Sequence, residues 1–306
     1  MAPPEAWVAP PRRVNAVLGD APVMRVGMPK ASGALCFAAF THDLPLLVSA
    51  SAFWNGDCGR FAIPTATDLQ ECDWALDSAG FTAMAKWKRK GPQPGMLNVY
   101  PWTLEHYLDL VTHVRPPGWY AQPDLCVEPE LAPNRAAVED RIFHTAILLA
   151  ANLEAVRRYQ DAGVFWLPPP VPVLQGWTRA DYLLSLQYLI ETWNAYGSTF
   201  AAPTLVGVGS MCRRDPDDPE FGIMAILDAM LPRLPHGMRL HLFGVKGSVM
   251  SRLADIPQIA SYDSMAWDFG ARRDAWRTGR PNSNEQRISA MLRWHHRHSV
   301  TLQSPG

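Results

Sequence analysis

Residues 74–81 read Trp74-Ala75-Leu76-Asp77-Ser78-Ala79-Gly80-Phe81. Three apolar residues deliver a carboxylate at the end of a strand-like run, and Ser-Ala-Gly then supplies a tight turn that opens a helix. Residues 259–267, IASYDSMAW, do the same with Asp263. Working outward, short apolar runs recur at 46–49, 119–124, 171–175, 204–209 and 239–245, each closing on Gly or a polar residue. Between them, segments 103–114, 136–162, 178–196, 221–231 and 248–254 space their apolar residues three and four apart, the period of a helix. Thr178 is a suitable N-cap with Asp181 in the first turn, and Gly197 is a natural stop.

Alternating strands and helices of this kind give a parallel sheet, because parallel neighbours need crossover helices. Seven marked runs and one poorly marked one favour a closed (β/α)₈ TIM barrel over an open doubly wound sheet. The expected organisation is one domain over 1–306, with an irregular arm at 1–20 and a basic helix or tail at 281–306. In such a barrel reacting groups gather at the C-terminal ends of strands. Asp77, Asp124, Gln175, Gly209, Ser210 and Asp263 all stand there.

Composition narrows the function classes. The chain has 306 residues, 48% hydrophobic and 19% charged, enough to bury a large core. No apolar stretch approaches the roughly 20 residues that span a bilayer, so a cytoplasmic protein without membrane contact is expected. Five cysteines, Cys36, Cys58, Cys72, Cys126 and Cys212, fall into no CxxC or CxCxxC spacing, which argues against a disulfide framework or a cysteine zinc site. No GxGxxG or GxxxxGK[ST] motif occurs, so no nucleotide cofactor is expected. His295, His296 and His298 have no cysteine or nearby carboxylate to complete a metal site; a solvated basic tail is the simpler reading.

Net charge is −1, yet Lys86, Lys88, Arg89 and Lys90 surround Trp87, Arg213 and Arg214 follow the 204–209 run, and Arg272, Arg273, Arg277 and Arg280 follow Asp263. Placed on the mouth side of a barrel, they would form a basic rim for a nucleic-acid backbone. Asp77 and Asp263 each have an ordinary alternative as a helix cap. Together, however, two strand-end carboxylates facing one mouth can divide nucleophile and acid/base work at an anomeric carbon. Gly207 and Gly209 would let a flat base or a phosphate approach the backbone, and Phe81 and Trp177 are candidates to sandwich a base.

Five segments, in order, resemble the tRNA-guanine transglycosylase superfamily. LDSAGF is similar to its DSGGF segment with Ala79 in place of the first glycine, PDLCVEP to FDECTP, PVLQGW to VQGG, and LVGVGSMCRR to GGLAVGE. HLFGVKGSVMSRL followed by IASYDSMAW is similar to the YLMGVG stretch and the nucleophile strand. The likeness runs from about Trp74 to Arg273. It is closest to the deazapurine DNA-modification transglycosylases, the DpdA-like proteins of bacteria and phages: the chain is short, and ARRDAWRTGRPNSNEQ stands where the tRNA enzymes carry a zinc-binding CxCxxC segment.

The resemblance implies exchange of guanine in DNA for a 7-deazaguanine, 7-cyano-7-deazaguanine or a derivative, through a covalent aspartyl-nucleotide intermediate. It makes Asp263 the nucleophile at C1′ and Asp77 the general acid/base. Asp124 would read N1–H and the exocyclic amine, and Gln175 and the backbone N–H near Gly209 would meet the carbonyl oxygen, with Ser78, Ser210 and Phe81 completing the base pocket. Lys86, Lys88, Arg89, Arg213, Arg214, Arg272 and Arg273 would contact DNA. The other partners implied are the free deazaguanine base and a second copy or accessory subunit. No cofactor and no metal are implied. The rival readings are a tRNA-guanine transglycosylase, a non-catalytic nucleic-acid-binding barrel and a glycoside hydrolase.

Overall fold

The computed structural model describes residues 22–212 and 214–303; the expected arm at 1–20 and Arg213 lie outside them. In chain order the elements are β1 (Val23–Met28), α1 (Ala34–Thr41), β2 (Leu46–Ser49), β3 (Trp54–Asn55), β4 (Arg60–Phe61), β5 (Trp74–Asp77), α2 (Gly80–Lys90) and α3 (Leu104–Val114). There follow α4 (Arg135–Asp161), β6 (Val173–Leu174), α5 (Arg179–Asn194), β7 (Leu205–Val208), α6 (Ile223–Met230), β8 (Arg239–Leu242), α7 (Met250–Ala254), β9 (Ile259–Ser264), α8 (Ala266–Thr278) and α9 (Asn284–Gln303).

Seven strands form one parallel sheet in the order β5-β2-β1-β9-β8-β7-β6, and β3 and β4 make a separate two-stranded hairpin. The sheet curls. The extended segment after α3 meets both edges: Leu76 of β5 bridges Tyr120, and Val171, two residues before β6, bridges Ala121, each in parallel. The amide of Leu76 donates to Trp119 O at 2.9 Å and that of Val171 to Tyr120 O at 2.8 Å. The 119–124 run is therefore two isolated bridges rather than a ladder strand. The strand that the sequence marked poorly is β1, VMRVGM, where Arg25 and Gly27 interrupt the apolar run.

Both faces of the sheet are covered, and the period of two assigns residues to each. One parity, including Leu46, Val48, Trp74, Leu76, Tyr120, Val206, Val208 and Leu240, joins the main core under the helices. The other, Leu47, Ala75, Trp119, Ala121, Val171, Val173 and Leu205, forms a smaller core with Phe243 against it. Gly207 belongs to that second parity, and a Cβ there would lie 2.5 Å from the Phe243 ring. Its missing side chain is thus filled by the protein, not by a ligand. Between β8 and β9 the register slips: Leu240 pairs Ile259 but His241 pairs Ser261, leaving Ala260 as the extra residue of a bulge. That slip sets the parity on which Ser261 and Asp263 fall.

The C-terminal segment is a packed helix rather than a solvated tail. Met291 is fully buried and Trp294 nearly so, and α9 packs on α8, α1 and α7. His298 packs against Trp294 with ring centroids 4.9 Å apart in a tilted arrangement. Among the described residues no helix is long and apolar enough to cross a membrane.

Candidate active site

The strand-end residues fall into two halves. In the first half, Asp124 is buried at 7% exposure and every donor around it is aimed inward. Ser78 Oγ donates to Asp124 Oδ1 at 2.7 Å, and the Gln175 amide nitrogen donates to Oδ2. Tyr100 OH donates to the Asp124 carbonyl at 2.7 Å and accepts from the Asp124 amide at 2.9 Å. Gln175 is fully buried; its Oε1 accepts from Ser210 Oγ at 2.7 Å, and Ser210 Oγ accepts from the Val127 amide at 3.0 Å. Ser78, Asp124, Gln175 and Ser210 thus form one continuous network. Burial raises the Asp124 pKa, and the Ser78 and Gln175 hydrogen bonds oppose that rise.

Two small residues make room for this network. A Cβ at Gly80 would sit 2.6 Å from Asp124 Oδ1, and one at Gly209 would overlap the Gln175 amide. Gly209 serves by lacking a side chain; its own N–H is used in the sheet, donating to Leu174 O at 2.9 Å, which leaves the expected backbone donor to a neighbour of Gly209. Ala79 and Ser210 both hold left-handed backbone, with φ of 69° and 51°. For residues with a Cβ that costs on the order of 1 kcal/mol each, and such strain gathers at functional sites.

The second half holds the sugar-side carboxyls. Asp77 ends β5, paired in register with Ser49, and its Oδ2 accepts the Ala79 amide at 3.1 Å. This is a local turn rather than a helix cap: Ala79 is the N-cap of α2, and no side chain caps that helix. Burial, then the charges of Asp124 and Asp263, push its pKa up to about 7. Asp263, 6% exposed, does not cap α8; Ser264 Oγ takes the Ala266 amide instead, at 3.2 Å. The Asp263 carboxyl turns to β8, where Oδ1 accepts the Gly244 amide at 2.8 Å and stands 3.5 Å from His241 Nε2.

Sequence reasoning missed several residues here. Tyr100, His241 and Glu128 are all buried, and one Glu128 oxygen has no hydrogen-bond partner; burial raises that carboxyl's pKa. His241 lay within a quoted segment, and its parity with Phe243 was the available signal. Tyr100 had none, because it reaches the site from a loop.

The basic residues separate by fate. Arg214 is buried at 3% exposure and uses all five guanidinium donors inside the protein. Nε donates to Ser210 O at 2.7 Å, Nη1 to Trp177 O and Phe221 O at 2.8 and 2.6 Å, and Nη2 to Gly176 O and Tyr182 OH at 2.9 and 3.2 Å. The expectation of a phosphate contact is corrected: no N–H remains to make one. The Arg214 guanidinium lies 4.0 Å from the Trp177 ring centroid, and Trp177 also stacks on Phe221, so Trp177 braces the Arg214 loop. Lys88 Nζ donates to the Glu130 carbonyl. Lys86 lines an open groove with Trp54, Gln93 and His106, and Arg89 is exposed on the same helix. Phe81 is 40% exposed in the first turn of α2. Arg272 reaches Asp268 at 3.1 Å and Arg273 is exposed, both on α8. Among the described residues no group of three or more His, Cys, Asp or Glu is arranged to hold a metal ion.

No curated protein matches the chain. One family does, DpdA, described as DeoxyPurine in DNA protein A, over residues 40–304. The match spans β2 through α9 and every residue of the site just described. The chain belongs to the DpdA family, whose role is the transglycosylase-type modification of deoxypurines in DNA.

Proposed function

We propose that the chain is a base-exchange transglycosylase, built on a (β/α)₈ barrel that residues 119–124 complete between β5 and β6, that replaces guanine in DNA with a 7-deazaguanine. The observation that carries this reading is the adjacency of two unlike carboxyls. Asp124 is locked beside a carboxamide that completes a purine-reading edge, whereas Asp77 is tuned to about 7 beside Asp263.

In the reaction, an oxygen of Asp263 attacks C1′ and the bond from C1′ to N9 of guanine breaks, giving an aspartyl ester. Asp77, protonated near neutral pH, gives its proton to the departing base. N9 of the incoming 7-deazaguanine then attacks C1′, the ester bond breaks, and Asp77 takes the N9 proton. A carboxyl with a pKa near the working pH suits both directions of transfer. Two inversions at C1′ restore the original anomer, as in other double displacements at sugars.

Guanine presents two donors beside one acceptor. Asp124 accepts the donors and the Gln175 amide meets the carbonyl, once Gln175 exchanges its bond to Asp124 for one to the base. The fixed partners of both groups, Ser78 and Ser210, hold them in place meanwhile. Because C1′ lies inside a duplex, the target nucleotide is flipped out or single-stranded. We place its flanking strand on α8, which begins two residues after Ser264. Phe269 and Trp276, 62% and 85% exposed, lie seven residues apart on one face with Arg273 between them, a stacking surface interleaved with positive charge. The incoming base is 7-cyano-7-deazaguanine or a derivative.

Mass spectrometry of nucleosides tests this reading. DNA from cells given a deazaguanine supply yields a deazaguanine deoxynucleoside with the native chain and none with Asp263→Ala. Modification confined to tRNA, or persisting in the alanine variant, would refute it.

A further inference from the structure

His241 is fully buried on the second parity of the sheet, next to the carboxyl of Asp263. Its Nδ1 lies 2.7 Å from Ser261 Oγ, and its Nε2 faces Asp263 Oδ1 at 3.5 Å with no hydrogen-bond partner of its own. The ring is gripped edge-on by Trp119 at 4.8 Å and Phe243 at 4.5 Å. Two charged groups bear on it, Asp263 from β9 and Arg25 from β1. Arg25 turns away, donating to Asp73 Oδ1 at 3.1 Å and Leu46 O at 3.2 Å.

Asp263 is therefore held asymmetrically. Oδ1 accepts the Gly244 amide at 2.8 Å and faces the imidazole, whereas among the described residues Oδ2 receives no hydrogen bond. We propose that His241 is a positioning residue for the nucleophile: a neutral imidazole, with its proton on Nε2 and its Nδ1 accepting from Ser261, fixes Oδ1 together with Gly244 and leaves Oδ2 to attack C1′. This rests on the reading of Asp263 as nucleophile.

The chemistry favours a neutral donor over a cation. An imidazolium would pair with the carboxylate and lower its basicity. It would also be stranded as an unpaired buried charge once Asp263 became an ester, a costly state. A neutral N–H orients Oδ1 as a carboxylate and still donates to it as the ester carbonyl. Burial, which holds His241 below the ordinary histidine range, acts in the same sense. The Asp263 carboxylate, which can only accept, favours the proton on Nε2, and the Ser261 hydroxyl, able to donate or accept, then donates to Nδ1.

Two measurements test this. Nitrogen NMR of the histidine-labelled protein is expected to show His241 neutral and protonated on Nε2 at pH 7. A wild-type Nδ1–H tautomer, or an imidazolium at pH 7, overturns the proposal without any activity being measured. In the exchange reaction on DNA, His241→Phe is expected to lower kcat about 10–100-fold with KM for DNA unchanged, and His241→Gln, whose amide can still donate, to recover part of that loss. Native exchange with an undiminished kcat in His241→Phe overturns the positioning role alone. No exchange by the native protein on DNA overturns the transglycosylase reading and this role with it. Should His241→Phe fail to fold, the glutamine variant and the tautomer measurement decide.

Discussion

The two halves of the site are built on opposite plans. Around Asp124 and Gln175 each carboxylate oxygen and the carboxamide already have partners, from Ser78, Ser210 and one another. Around Asp77 and Asp263 the hydrogen bonds are few, and burial first and the neighbouring carboxyls second raise the proton affinity of Asp77. The contrast teaches that recognition and reaction demand different electrostatics. A reading edge gains from having its supports, Ser78 and Ser210, in place before the base arrives, so that only the Gln175–Asp124 bond is exchanged on binding. A proton-transferring carboxyl needs a pKa close to the working pH, which burial and like charge achieve and hydrogen bonds to the carboxylate would undo.

Removing the tuned carboxyl breaks the contrast most sharply. Asp77→Asn is expected to lower kcat about 10²–10⁴-fold while leaving base affinity near native. The same variant reports on stability. A carboxyl whose folded pKa is raised binds its proton more tightly in the folded state, so the native protein loses stability as pH rises from about 4 to about 7. Asp77→Asn is therefore more stable than the native chain above pH 8 by roughly 4 kcal/mol, and the two converge below pH 4. Thermal melts at pH 4, 6 and 8 check this, and a gap that widens toward acid would contradict it.

On the recognition side, Asp124→Ala leaves the Ser78 hydroxyl and the Gln175 amide without their acceptor. It is expected to cost about 1–3 kcal/mol of stability at each unpaired group and to abolish discrimination between guanine-like and adenine-like bases before DNA affinity falls. Competition by free bases and a DNA-binding titration separate the two; parallel loss of both would make Asp124 structural.

The arginines sharpen the comparison with smaller effects. Arg214→Lys is expected to destabilise by a few kcal/mol, because a single ammonium cannot serve five acceptors, without changing the salt dependence of DNA binding. Arg273→Ala is expected to leave the melting temperature unchanged and to reduce the slope of log affinity against log salt by about one. Exchange of these two outcomes would reverse the assignment of the pair.

Much of the fold was legible because its signals are local. The apolar runs that close on Asp77 and Gln175 and the helix capped by Thr178 all appear where the chain pattern put them. The capping box of Thr178 and Asp181 formed, since three residues suffice to specify it. What was illegible depends on distant partners. Arg25 hid β1 because an arginine in a strand reads as solvent-facing until Asp73 and Leu46 O are there to meet it. Arg214 read as a phosphate contact because nothing local reveals that five acceptors surround it.

By itself the sequence determined the alternation of strand and helix, the family, and which polar side chains stand at strand ends, all consequences of short-range periodicity and of ordered motifs. Tertiary structure alone decided which of those groups satisfy one another. The register slip between β8 and β9 places Asp263 and His241 on one parity, the chain's return at residue 100 brings the Tyr100 hydroxyl to Asp124, and burial, with the charges of Asp124 and Asp263 nearby, lifts Asp77 to about 7. The physical reason is that hydrogen bonds and charge coupling depend on distances of a few ångströms between residues far apart in the chain. Folding fixes those distances, and no stretch of sequence contains them.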